Sequence, residues 1–192
     1  MSIAHSISES PREKVPSSVL GMLLFVASEL MFFAGLISAF TISRAGSTDA
    51  MWITPSAPLL PAAATAVNTT ALVLSGICVF VAYQQYRRQS PAAGRTLLAG
   101  WLLGAMFVVL QGREWVGLLT QGLTMYSSGL GAFFYLIVGI HAIHAVAALI
   151  GLGVAWRRLK RGSLTPGFFL GAQTFWYFVV GVWPVIYLRV YF

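Results

Sequence analysis

The sequence predicts an all-α membrane protein, a bundle of five transmembrane helices, and three observations carry that expectation. Of 192 residues, 58% are hydrophobic and only 9% are charged, whereas soluble domains carry roughly a quarter charged residues. The apolar residues gather into five runs, about 19–42, 62–86, 97–119, 130–156 and 167–190, each reaching the ~20 residues a helix needs to cross the hydrocarbon core. The basic residues fall in short clusters beside these runs. Helices satisfy their backbone groups internally, which a lipid-exposed chain must do.

Residues 1–17 are polar, with Ser, Pro and mixed charges, and are expected to order only against a partner. Residues 18–192 then form one membrane domain. Glu9 and Glu13 precede a first run too long for a signal-peptide core, so a cleaved leader is not expected. Segment one, Val19 to Ile42, carries Glu29 near its middle. A loop with Arg44, Gly46, Asp49, Pro55 and Pro58 follows, and Pro61 suits the first turn of segment two. Arg87, Arg88, Pro91 and Arg95 mark the next loop. Segment three holds Arg113 and Glu114 near its far end. Segment four is followed by Arg157, Arg158, Lys160 and Arg161. Segment five contains Pro184, which removes a backbone donor and should kink the helix.

Five spans put nine of the twelve basic residues on the side of the amino terminus. The positive-inside rule makes that side cytoplasmic and leaves the carboxyl terminus outside. Tyr86, Trp101 and Trp156 on the inner side, and Trp115, Trp183 and Tyr187 on the outer side, are expected as interfacial anchors. A net charge of +7 does not point to nucleic acid, because the cations flank membrane spans. Small residues recur at helix-contact spacing: Gly21, Ser28 and Gly35; Gly100 and Gly104; Ala147 and Gly151; Gly167 and Gly171. They predict a compact bundle, and no internal repeat of a transporter kind is visible.

Few polar residues lie at depth. At 1.5 Å per residue, Glu29 falls roughly 15 Å from the inner end of segment one and His141 roughly 17 Å from the outer end of segment four. A carboxylate at that depth must be neutral, paired or facing protein. A Glu29–His141 pair is the preferred expectation; separate bonds to backbone or to hydroxyls such as Ser28 or Thr69 are the alternative. His141 and His144 share a helix face at a spacing that can hold metal, but no further ligands accompany them, so no metal site is assigned. Arg113 and Glu114 are expected to form local ion pairs or meet lipid headgroups. Asn68, Thr65 and Thr69 make a polar stripe that reads as interhelical bonding. The lone Cys78 reads as a small buried side chain. No candidate catalytic residue emerges, since no nucleophile with its base and no phosphate loop is present.

These runs resemble subunit III of the haem-copper oxidases, the cytochrome c and quinol oxidase family, in its short bacterial five-helix form. Ser28-Glu29-Leu30-Met31-Phe32-Phe33 looks like that family's Ser-Glu-x-x-Phe-Phe signature. Asn68-Thr69 and Ser75-Gly76, Gln111-Gly112-Arg113-Glu114-Trp115, and Gly139-Ile140-His141-Ala142-Ile143-His144 are similar to its motifs in the next three helices. Segment five departs from the pattern. Where the family carries Tyr-Trp-His-Phe-Val-Asp, this chain has Phe175-Trp176-Tyr177-Phe178-Val179-Val180, so Tyr177 stands for the histidine and Val180 for the aspartate.

The resemblance implies a non-catalytic integral subunit of a bacterial terminal oxidase in the cytoplasmic membrane. It would carry no cofactor itself, with haem and copper in partner subunits, and would bind phospholipid. Its partners would be catalytic subunit I, other oxidase subunits and membrane lipids. It would support stability and proton uptake of the catalytic subunit during electron transfer to oxygen. Three histidines and one cysteine are too few for a haem-copper centre or a two-cysteine copper site. Glu29, His141 and His144 would form a buried polar, proton-related group. Asn68, Arg113, Glu114, Trp176, Tyr177 and Trp183 would be structural or lipid-contacting. Alternatives are an accessory protein of a nitric oxide reductase and a small proton-coupled transporter.

Overall fold

A computed structural model describes residues 17–48, 52, 58 and 60–191. The polar tail up to residue 16, with Glu9, Arg12, Glu13 and Lys14, and the loop residues Asp49 and Pro55 lie outside the described residues. Five long apolar helices follow in order: α1 (Ser17–Gly46), α2 (Ala62–Arg87), α3 (Ala93–Thr120), α4 (Gly129–Lys160) and α5 (Pro166–Val190). All five are long and apolar enough to cross a membrane, and the described residues contain no strand. The helices outrun the hydropathy runs at several ends because helical hydrogen bonding continues into the polar flanks.

Helix ends follow local chemistry. Ser128 caps α4 by accepting the Gly131 N–H at 3.0 Å, and Thr165 caps α5 with Pro166 immediately after it. At the other ends of α3 and α4, Gly122 and Gly162 take the left-handed conformation, with φ of 90° and 66°. Each closes its helix with a paired turn: Leu123 N–H donates to Leu118 and Gly122 N–H to Leu119, and likewise Ser163 to Arg158 and Gly162 to Leu159. α2 ends in the same pattern but places Gln89 at φ 54°, a conformation that suits glycine. α5 continues unbroken through Pro184.

α2, α3, α4 and α5 form a ring in which each touches the next, and α5 closes it by returning to α2. α1 stands outside this ring and packs against α4 and α5. Its seam is Val26, Phe33, Leu36 and Phe40, while Leu24, Met31, Phe32 and Ile42 are exposed. α5 touches three helices and has the most enclosed surface, including Phe169, Trp176, Val179, Trp183 and Ile186.

Only some of the small residues serve contacts within the chain. A Cβ on Gly104 would lie 2.6 Å from the Trp176 ring, and one on Gly100 would lie 3.1 Å from Cys78 Cβ and 3.2 Å from the Ser75 carbonyl. These glycines admit a buried indole and the close approach of α2. A Cβ on Gly21, Gly35 or Gly171 would meet nothing within 4 Å, and Gly21 and Gly35 are exposed, so the expected contacts at those two do not form among the described residues. Cys78 is half-buried rather than enclosed. Side chains also pin helices to carbonyls of neighbours: Ser75 to Gly100, Trp101 to Leu149, Trp156 to Gly94, Tyr187 to Ala62 and Tyr86 to Leu164. Of the expected interfacial anchors, Trp183 is not one. Trp183 is wholly buried, and Trp101 and Trp156 spend their indole N–H groups between α3 and α4.

Candidate functional site

Glu29 belongs to the inward seam of α1. Positions 26, 29, 33, 36 and 40 alternate steps of three and four, which keeps them on one side of a helix. The carboxylate is thereby turned toward α4. Its Oε2 lies 3.1 Å from His144 Nε2, with the His144 and Glu29 side chains 15% and 21% exposed. The expected pairing with His141 does not form. Three residues of helix turn the side chain by roughly 60°, so His144 faces α1 while His141 faces the ring interior.

The other nitrogen of His144 fixes its chemistry. Nδ1 lies 2.8 Å from the Ile140 carbonyl. A carbonyl only accepts, so Nδ1 carries the hydrogen. The contact between Nε2 and Glu29 then needs one proton, held either as a carboxylic acid donating to neutral imidazole or as imidazolium donating to carboxylate. Both forms have zero net charge, which meets the demand that a carboxylate at depth be neutral or paired. Phe33, Phe175 and Phe178 set ring edges around His144 at centroid distances of 5.6, 6.1 and 5.7 Å. They restrict its rotation.

His141 is 1% exposed, and both ring nitrogens are buried without a hydrogen-bond partner among the described residues. Its ring lies against Trp183 at 5.2 Å and 31°. Trp183 in turn donates to Thr69 Oγ1 at 2.9 Å and meets Phe107 edge-on at 5.0 Å. Among the described residues no group of three or more His, Cys, Asp and Glu is placed to hold a metal ion.

A second polar cluster sits at the end of the bundle where α3 turns toward α4. For Glu114 the expectation is a local ion pair or contact with lipid headgroups. Instead its Oε2 accepts from Gln111 Nε2 at 3.0 Å and lies 2.8 Å from the Thr65 hydroxyl, while Arg113 is exposed. Adjacent positions on a helix diverge by about 100°, and Glu114 is the one turned to α2. Gln111 also donates to the Tyr191 hydroxyl at 3.0 Å, and Asn68 donates to Phe107 O and Gln111 Oε1 at 3.2 and 3.4 Å. Burial pushes the Tyr191 phenol up to about 12; hydrogen bonds from Thr65 and Gln111 pull it back in part, and the Glu114 charge adds to the rise. Sequence reasoning passed over Gln111 and Tyr191 as site residues. The spacing of three between Gln111 and Glu114 was a usable signal, whereas Tyr191 at the chain end gave none.

The two departures in α5 have simple settings. The Tyr177 hydroxyl lies 2.6 Å from Gln173 Nε2, one turn back on the same helix. Val180 places its methyl carbons 3.4 and 3.5 Å from where a Cβ on Gly76 would lie, so an apolar contact between α2 and α5 stands where the resembled pattern has an aspartate. Trp176 is fully enclosed over Gly104. Trp176 and Trp183 are thus core residues and do not reach lipid.

Grooves score the outside of the bundle. One of about 550 Å³ runs between α1 and α5 past Val26, Leu30, Tyr177 and Val185. Another of about 490 Å³ runs between α3 and α4 and ends at Trp156 and Arg157.

The family model described as cytochrome c oxidase subunit III matches residues 14–192. The chain is 32% identical over 178 residues to a protein of Corynebacterium diphtheriae named cytochrome c oxidase subunit 3, covering 90% of this chain and 86% of the relative. It is 31% identical over 176 residues to a probable cytochrome c oxidase subunit 3 of Mycobacterium leprae, with the same coverage. A cytochrome c oxidase subunit 3 of Pelomedusa subrufa is 28% identical over 179 residues, covering 89% of this chain and 67% of the relative. With nearly its whole length matched and the five helices in place, the chain belongs to the cytochrome c oxidase subunit III family.

Proposed function

We propose that this chain is the non-catalytic subunit III of a bacterial haem-copper terminal oxidase, a multi-pass protein of the cytoplasmic membrane with its amino terminus inside. The observation that carries the reading is the family match over residues 14–192. The small number of histidine and cysteine residues supports placing haem and copper in the partner catalytic subunit.

Three roles follow for this chain. The grooves suit acyl chains, and Arg157 beside Trp156 at the end of the α3–α4 groove supports binding of a phospholipid, with the guanidinium meeting phosphate. The Glu29–His144 pair holds one proton deep in the membrane and supports proton uptake by the partner. The Gln111–Glu114–Thr65 cluster ties α2 to α3 near the outer face and supports stability over turnover.

The test is purification of the tagged protein in mild detergent, followed by a haem spectrum and oxygen-consumption measurement of what accompanies it. Haem, copper and oxygen reduction are expected in the preparation. A monodisperse, colourless protein that moves ions by itself would refute the reading, and reduction of nitric oxide without oxygen reduction would assign it to a different reductase.

A further inference from the structure

A small, partly open pocket of about 100 Å³ lies among α3, α4 and α5, lined by His141, Trp115, Gln111, Phe107 and Trp183 with smaller apolar residues. Most of its wall is carbon, and a cavity lined only by carbon stays dry. Here two lining residues carry buried polar atoms with no partner among the described residues: both ring nitrogens of His141 and the indole Nε1 of Trp115. The face of His141 is covered by Trp183 at 31°. Its nitrogens lie in the ring plane, so that stacking leaves their hydrogen-bonding directions unmet.

We infer that this cavity is a buried hydration site whose water bridges His141 and Trp115 and extends the Gln111–Glu114–Tyr191 hydrogen-bond cluster toward the middle of the membrane. The volume admits more than one molecule, since a water needs roughly 10–15 Å³ of such space. The donor and acceptor inventory also closes. The Trp115 N–H donates to a water oxygen, that water donates to the unprotonated nitrogen of His141, and the protonated nitrogen donates to a second water, which donates to Gln111 Oε1 beside its contact from Asn68. Gln111 stands on the same wall and already donates to Glu114 and Tyr191 at 3.0 Å each. The result is a polar track from a mid-membrane histidine to the end of α3, separate from the Glu29–His144 pair on the α1 side.

The experiment is an electron cryo-microscopy map of the complex that purifies with this chain, at a resolution that shows ordered water elsewhere. Discrete density within about 3 Å of a His141 nitrogen and of Trp115 Nε1 is expected in the unaltered protein, which requires no substitution to fold. A site without density beside well-resolved waters, or one filled by the tubular density of an acyl chain, overturns the inference. An infrared measurement in H₂¹⁸O gives a second readout. An isotope-shifted O–H stretching band of weakly bonded water should be present in the parent and lost in Trp115→Phe and His141→Phe. Persistence of the same band in both variants overturns it equally.

Discussion

Separating the two histidines energetically is the sharpest test of the Glu29 site. The perturbation is a pair of double-mutant cycles, Glu29→Ala with His144→Ala and Glu29→Ala with His141→Ala. The Glu29–His144 contact is 3.1 Å long between side chains only 15–21% exposed. It should therefore exceed the 0.2–1 kcal/mol of exposed ion pairs. It should fall short of the 3–5 kcal/mol lost when one member of a fully buried pair is removed, because hydrogen bonds between membrane helices average about 0.6 kcal/mol and reach about 1.7. A coupling of about 1–2 kcal/mol follows. Glu29 and His141 share no bond, so their cycle should close within about 0.5 kcal/mol. Glu29→Gln should keep most of the stability, since its amide N–H can donate to neutral His144 Nε2. The assay is a reversible SDS unfolding titration in mixed micelles, read by tryptophan fluorescence. Coupling to His144 below about 0.5 kcal/mol, or a larger coupling to His141, would refute the assigned geometry.

Three other outcomes are expected. Gly104→Ala should destabilise the bundle by about 1–3 kcal/mol in the same titration, because its Cβ would meet a fully buried Trp176 ring at 2.6 Å, whereas Gly35→Ala, with nothing within 4 Å, should change the chain's own stability by less than about 0.5 kcal/mol. Gln89→Gly should raise stability by several tenths to about 1 kcal/mol by relieving the left-handed strain at φ 54°, and a decrease in the unfolding midpoint would contradict it. The Tyr191 phenol is raised from about 10 to about 12, so its contribution is fully present below pH 10 and is lost as pH rises toward 12. Unfolding profiles across that window should fall by on the order of 2–3 kcal/mol, and Tyr191→Phe should flatten the slope.

Much of the architecture was written in hydropathy alone. Runs of apolar residues beside arginine clusters locate five helices, because the membrane leaves the backbone few other solutions. The sites were less legible. Glu29 stood out as a carboxylate at depth, yet depth arithmetic could not choose between His141 and His144, which lie one helix turn apart. That choice depends on the azimuth of α1 against α4, which the packing of Phe33 and Val26 sets. Glu114 was visible as a charge near a helix end, but its inward turn toward Thr65 depends on how α2 and α3 meet at Ser75 and Gly100. The small-residue patterns divided in the same way. Gly100 and Gly104 face neighbours, and Gly21 and Gly35 look outward, a difference that spacing does not encode.

The position of α1 outside the four-helix ring bears on how the chain is made. Of the five helices α1 is synthesised before the others, but the surfaces that receive it belong to α4 and α5, which follow it in the chain. Glu29 must therefore leave the insertion machinery and wait in lipid while three further spans are completed before His144 can reach it. A lone carboxylate in that setting is costly until it meets a partner. α2 and α3 can pair as soon as Gly100 has emerged, which makes that hairpin the early product and the docking of α1 the closing step. Premature capture of α1 by another apolar surface would leave His144 facing lipid, so the earliest of the five helices would be the last of them to find its place.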